Sequence, residues 1–191
     1  MPENLQEAMD DLVGIGNTAV FLASSRLFSR KVLYGKWLLA QKYSSHIALE
    51  KDLKKIFKNE KWRILDTRNF PGDLGGRINA RRLYEVLKLS EKYDSEPVRA
   101  FQFLFKRIPT IKDFEKYFQG VFDNEIEFVY QHLRNSGALK KLSSKERQGV
   151  HWKKYLHKRR GELIPYQFVS LSIYVNEVVI FLREGLGNGS G

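Results

Sequence analysis

TIKDFEKYFQGVFDNEIEFVYQHLRNSGAL, residues 110–139, carries its own start and stop signals. Thr110, followed three residues later by Asp113, marks a helix start, and Ile111, Phe114, Tyr117 and Phe118 give that helix one apolar face before Gly120 ends it. After a short turn Asp123 caps a second helix in which Ile126, Val129, Tyr130 and Leu133 face inward. Gly137, with Leu139 folding back behind it, stops the second helix. Two short capped helices around a tight turn predict a helix-turn-helix near 110–139.

This segment resembles the paired helices of winged-helix proteins, above all in its closing run Leu133-Arg134-Asn135-Ser136-Gly137-Ala138-Leu139. The resemblance covers residues 110–139 and implies a nucleic-acid reader whose second helix lies in the major groove. The residues at the N-terminal part of that helix are Asp123, Asn124, Glu125 and Glu127, and three carboxylates are unfavourable beside phosphates. The useful hydrogen-bonding side chains come late. Gln131, Arg134 and Asn135 are the candidate base contacts.

Immediately downstream, residues 140–160 read KKLSSKERQGVHWKKYLHKRR and hold nine Lys or Arg against one acid, Glu146. This stretch carries +8 of the chain's formal +11, so the basic character is local. Ser143 with Glu146 forms a capping box that predicts a helix from about Ser144. Arg147, His151, Lys154 and Lys158 recur at spacings of four, three and four, one row along such a helix, beside an apolar face of Trp152, Tyr155 and Leu156. Solubilising helix faces interleave acids that relieve like-charge repulsion, and this one does not. The expected phosphate-binding set is Lys140, Lys141, Lys145, Arg147, His151, Lys153, Lys154, Lys158, Arg159 and Arg160. Phosphate neutralisation by such residues supplies most non-specific nucleic-acid affinity.

Working outward, helical periodicity dominates. Residues 18–43 read as one long helix with Gly35 as its weak interior position, and 46–60 as another with Leu49, Leu53, Ile56 and Phe57 on one face. WRILDTRNFPGDLGGR, residues 62–77, breaks the pattern with Pro71 and three glycines and reads as a loop or linker. Asn79 caps a helix to about Tyr93 with Leu83, Val86, Leu87 and Ser90 inward, and Ser95 and Pro97 open another through Ile108. LIPYQFVSLSIYVNEVVIFL, residues 163–182, reads as a buried apolar helix. Nine of the 25 aromatics fall between Phe101 and Tyr130 at helical spacings that indicate core.

Other chemistries have less support. The chain has no cysteine, which removes disulfides, thiolate nucleophiles and Cys-based zinc sites. The four histidines, His46, His132, His151 and His157, lack metal-ligand spacing, so neither metal nor cofactor is expected. PGDLGGR, residues 71–77, lacks the Lys-Ser/Thr end of a P-loop. Asp66 and Asp73 are the one pair that could hold a divalent cation in a nuclease, against their commoner use as turn formers. The opening MPENLQEAMDD carries four carboxylates and no Lys or Arg, unlike a signal peptide, and points to an intracellular protein, cytoplasmic or nuclear. Glu177 inside the last apolar stretch argues against a membrane span.

The expected architecture is mainly α: a single helical domain or two small lobes. Residues 1–66 would form an N-terminal lobe, 67–78 a Gly/Pro loop or linker, 79–185 a C-terminal lobe with the basic helix, and 186–191 a disordered tail. The expected function is non-catalytic, backbone-led binding of DNA or RNA within a larger assembly. The alternative is a helical scaffold subunit, its basic helix on an acidic partner or anionic membrane surface and residues 165–184 joining a protein partner or homodimer.

Overall fold

The computed structural model describes residues 17–72, 74, 78–137, 140, 166–170 and 177–182. Among these, helices predominate but two small antiparallel sheets are present, so the fold is mixed α/β and not purely helical. The chain divides into two compact units, Met1–Phe114 and Glu115–Gly191.

In the first unit, residues 18–43 do not form the single helix their apolar content predicts. They form β1 (Ala19–Ser24), the five-residue α1 (Ser25–Ser29), β2 (Gly35–Leu39) and a 3-10 turn at Ala40–Lys42. β3 (Trp62–Arg68) replaces the first half of the expected loop, and the strand order is β2-β1-β3 with every pairing antiparallel. Gly35 pairs with Ala23 in the β1–β2 ladder, where a Cβ would run into the Leu22 backbone carbonyl. The residue that weakens a helix is therefore the one this sheet needs.

The remaining helices of this unit follow their sequence signals closely. α2 (His46–Phe57) is capped by the Ser45 hydroxyl, which accepts from Ala48 N at 3.2 Å, and buries Leu49, Leu53 and Phe57. α3 (Ala80–Tyr93) is capped by Asn79, whose Oδ1 accepts from Arg82 N at 2.9 Å, and buries Leu83, Val86, Leu87 and Ser90. α4 (Ser95–Phe105) buries Val98 and Phe101. α3 packs on both α2 and α4. The rings of Tyr93, Phe101 and Phe114 close the end of this core, with Phe114 centred 5.1 Å from Tyr93 and 5.7 Å from Phe101.

Asn69 ties the pieces together just after β3. Its Nδ2 donates to Thr18 Oγ1 (3.0 Å) and to the Ser90 carbonyl (3.3 Å), and its Oδ1 accepts from Ser95 N (3.1 Å). With φ of +41°, this residue occupies the left-handed region that Asn tolerates better than most side chains.

α5 (Ile111–Tyr117) begins as expected, with Thr110 Oγ1 accepting from Asp113 N at 2.9 Å, and the boundary between the two units falls inside it. Its end leads into a strand instead of the expected short turn. Phe118–Phe122 forms β4, and α6 (Glu125–Asn135) comes after it. The apolar helix expected across 165–184 is also replaced: Tyr166–Ser170 is β5 and Val178–Leu182 is β6. The order in this second sheet is β4-β6-β5, so β6 lies in the middle and pairs antiparallel with both neighbours.

Candidate nucleic-acid interface

The second unit runs β4, α6, a long connection, β5 and β6. Its centre is apolar: Val178, Val179, Ile180 and Phe181 of β6 and Phe128, Val129 and Leu133 of α6 are buried. Phe118 meets Phe181 at 5.8 Å between ring centres, and Phe122 meets Phe128 edge-on at 5.1 Å. The inward face of α6 is thus turned by one position from its expected setting. Phe128 takes the buried place and Tyr130 is 43% exposed.

The start of α6 is fixed by Asn124 and not by Asp123. Asn124 Oδ1 accepts from Ile126 N and Glu127 N, both at 3.0 Å, while Glu127 Oε2 accepts from Asp123 N at 2.9 Å. A carboxylate in the first helical turn also suits the positive end of the helix dipole. Glu125 and Glu127 are therefore explained by helix initiation. The far end stops as expected, with Gly137 at φ +73° and its N–H donating to the Arg134 carbonyl at 3.1 Å.

Of the three candidate base contacts, Gln131, Arg134 and Asn135 are all exposed on α6. Gln131 is partly committed, since its Nε2 donates to Glu127 Oε1 at 3.0 Å. Among the phosphate-binding candidates, Lys140 is exposed just beyond the helix stop, its N–H donating to the Gly137 carbonyl. Lys141, Lys145, Arg147, His151, Lys153, Lys154, Lys158, Arg159 and Arg160 lie outside the described residues, as do the Ser143–Glu146 capping box and the 186–191 tail. In sequence this basic block occupies the connection between α6 and β5.

Asp66 is exposed on β3 with its Oδ1 accepting from Thr67 N at 2.7 Å, and Asp73 lies outside the described residues. His46 stands beside Tyr84 and His132 beside Phe128, in different units. Among the described residues no group of three His, Asp or Glu is arranged to hold a metal, and no helix is long and apolar enough to cross a membrane.

Residues 62–64, expected as the start of a linker, instead supply one wall of a cavity of about 1120 Å³ within the first unit. The signal was the alternation of Trp62, Arg63 and Ile64. No protein-family model matches the chain, and no curated protein sequence matches it.

Proposed function

We propose that the chain is a non-catalytic nucleic-acid-binding protein whose second unit is winged-helix-like and grips the duplex backbone through residues 140–160. The observation that carries this reading is the strand order β4-β6-β5. A winged-helix unit runs helix, strand, two helices and a hairpin, and the last strand of the hairpin inserts beside the first strand of the unit. Here α5, β4, α6, the basic block, β5 and β6 come in that order along the chain, and β6 is the inserted strand.

The separation of α5 from α6 by β4 supports taking α6 as the first helix of the pair, with the segment whose sequence predicts a helix from about Ser144 as its groove-facing partner. The charge then falls where phosphates need it. The carboxylates of Asp123, Glu125 and Glu127 belong to the supporting helix, and nine Lys or Arg against one acid belong to the segment facing the polyanion.

Cations that meet phosphates position a protein without reading sequence. Two unrelated duplexes of equal length are therefore expected to bind within about tenfold of each other, where specific readers discriminate by roughly a thousandfold or more. Failure to bind any duplex at low salt refutes the function. A single site bound a thousandfold tighter, with the preference lost in Gln131→Ala or Arg134→Ala, assigns base reading to α6 instead.

A further inference from the structure

The first unit holds the cavity of about 1120 Å³, walled by α2, the start of β3 and the first turn of α3. Its acids are already engaged. Glu50 pairs with Lys54 at 2.8 Å, and Glu60 accepts from Ser24 Oγ at 3.0 Å and pairs with Arg26. These contacts hold both carboxyls below the usual glutamate range, through Lys54 and Ser24 respectively.

The cations Lys61, Arg63 and Arg81 on the same walls are differently placed. Among the described residues, no carboxylate lies within ion-pair distance of Lys61 or Arg63. Arg81 reaches Glu85 only at 3.8 Å, and the other Glu85 oxygen is held by Arg82 at 2.9 Å. Arg63 alternates to the face of β3 opposite Trp62, where its guanidinium lies 5.1 Å from the centre of the Phe28 ring, so it is not one of the cations beside Trp62. Trp62 and Ile64 share a face of β3 and, with Leu53 of α2, supply the apolar part of the lining.

Lys61 with no carboxylate partner among the described residues, and Arg81 with only a long one, beside an aromatic side chain suit a ligand with a planar apolar part and repeated negative charge. A cavity of about 1120 Å³ stands at the upper end of small-molecule pockets and has room for a chain-like ligand. The bases of a duplex are already stacked on one another and are not free to rest on Trp62. We propose that this cavity is a single-strand nucleic-acid site, with a base resting on Trp62 and neighbouring phosphates against Lys61 and Arg81. This is separate from the duplex contact assigned to the second unit, and stands whether or not that contact exists.

The test uses the full chain carrying Trp37→Phe and Trp152→Phe, so that Trp62 is its one tryptophan. Oligo(dT) of 12 nucleotides is expected to quench Trp62 emission, while thymidine monophosphate at equal nucleotide concentration and polyglutamate do not. Trp62→Ala, assayed by fluorescence anisotropy of the labelled oligonucleotide, is expected to weaken binding roughly ten- to a hundredfold, the usual worth of one stacked base. Lys61→Gln with Arg81→Gln, both surface changes, should lower the salt slope for the single strand by about 1.4. The same double variant should leave duplex binding through residues 140–160 unchanged. Absent quenching, equal quenching by the monophosphate or polyglutamate, or an unaltered salt slope overturns the proposal.

Discussion

Replacing Asn69 with Ala removes the side chain that joins the start of β1, the end of α3 and the start of α4. Three hydrogen bonds are lost, to Thr18 Oγ1, the Ser90 carbonyl and Ser95 N. Each is worth about 0.5–1.5 kcal/mol net, the larger figure applying where a partner is left without water access. The site is part-buried, and Ser90 is itself fully buried, which places the sum at roughly 2–4 kcal/mol. Ala at φ +41° adds about 1 kcal/mol of backbone strain that Asn largely avoids. Urea unfolding of Asn69→Ala is therefore expected to show a loss of about 3–5 kcal/mol at an unchanged m-value. Asn69→Asp keeps an acceptor for Ser95 N but no donor, and should fall between Ala and the parent. A loss under about 0.5 kcal/mol for Asn69→Ala, within the range of ordinary surface changes, would refute the view that this side chain holds the first unit together.

Two further predictions probe other parts of the fold. Ile180 is fully buried in the central strand of the second sheet, so Ile180→Asp should cost several kcal/mol and abolish duplex binding, whereas Val121→Asp, on an exposed position of edge strand β4, should do neither; circular dichroism and a duplex titration check both. Asp52 accepts from the Tyr43 hydroxyl at 2.8 Å and from Lys42 Nζ at 3.3 Å, and its carboxyl is held below the ordinary aspartate range, chiefly by the Tyr43 hydrogen bond. Because the folded-state pKa is the lower one, the stabilisation is present above the unfolded value of about 3.9 and is lost as pH falls through the folded value, so urea unfolding should show Asp52→Asn less stable than the parent at pH 7 and approaching it in acid.

The helices were legible and the strands were not, for reasons visible in particular residues. α2 and α3 each bury one face and expose another, so Leu49, Leu53 and Phe57, and Leu83, Val86, Leu87 and Ser90, announce themselves by spacing. The two central strands are covered on both faces. In β1 five of six residues are buried, and in β6 four consecutive residues are, so each reads as an unbroken apolar run that periodicity cannot separate from a core helix. Edge strands β3 and β4 were obscured by irregular register. Phe21 pairs with Asp66 and Leu22 with Ile64, leaving Leu65 as an extra residue that shifts the alternation of WRILDTR. Gln119 plays the same part in β4, between Phe118 opposite Phe181 and Gly120 opposite Ile180. At the candidate interface, the capping signals of 110–139 and the charge of 140–160 were readable. The strand separating α5 from α6 was not.

The central claim is that residues 140–160 contact duplex phosphates. Its most direct test is the dependence of the duplex binding constant on salt, measured for the parent chain and for Arg147→Gln with Lys154→Gln and Lys158→Gln. Each lost phosphate contact lowers the slope of log K against log salt by about 0.9, so three predict a slope shallower by nearly 3, with weaker binding to every duplex sequence alike. An unchanged slope and affinity would contradict the account and remove this segment from the interface.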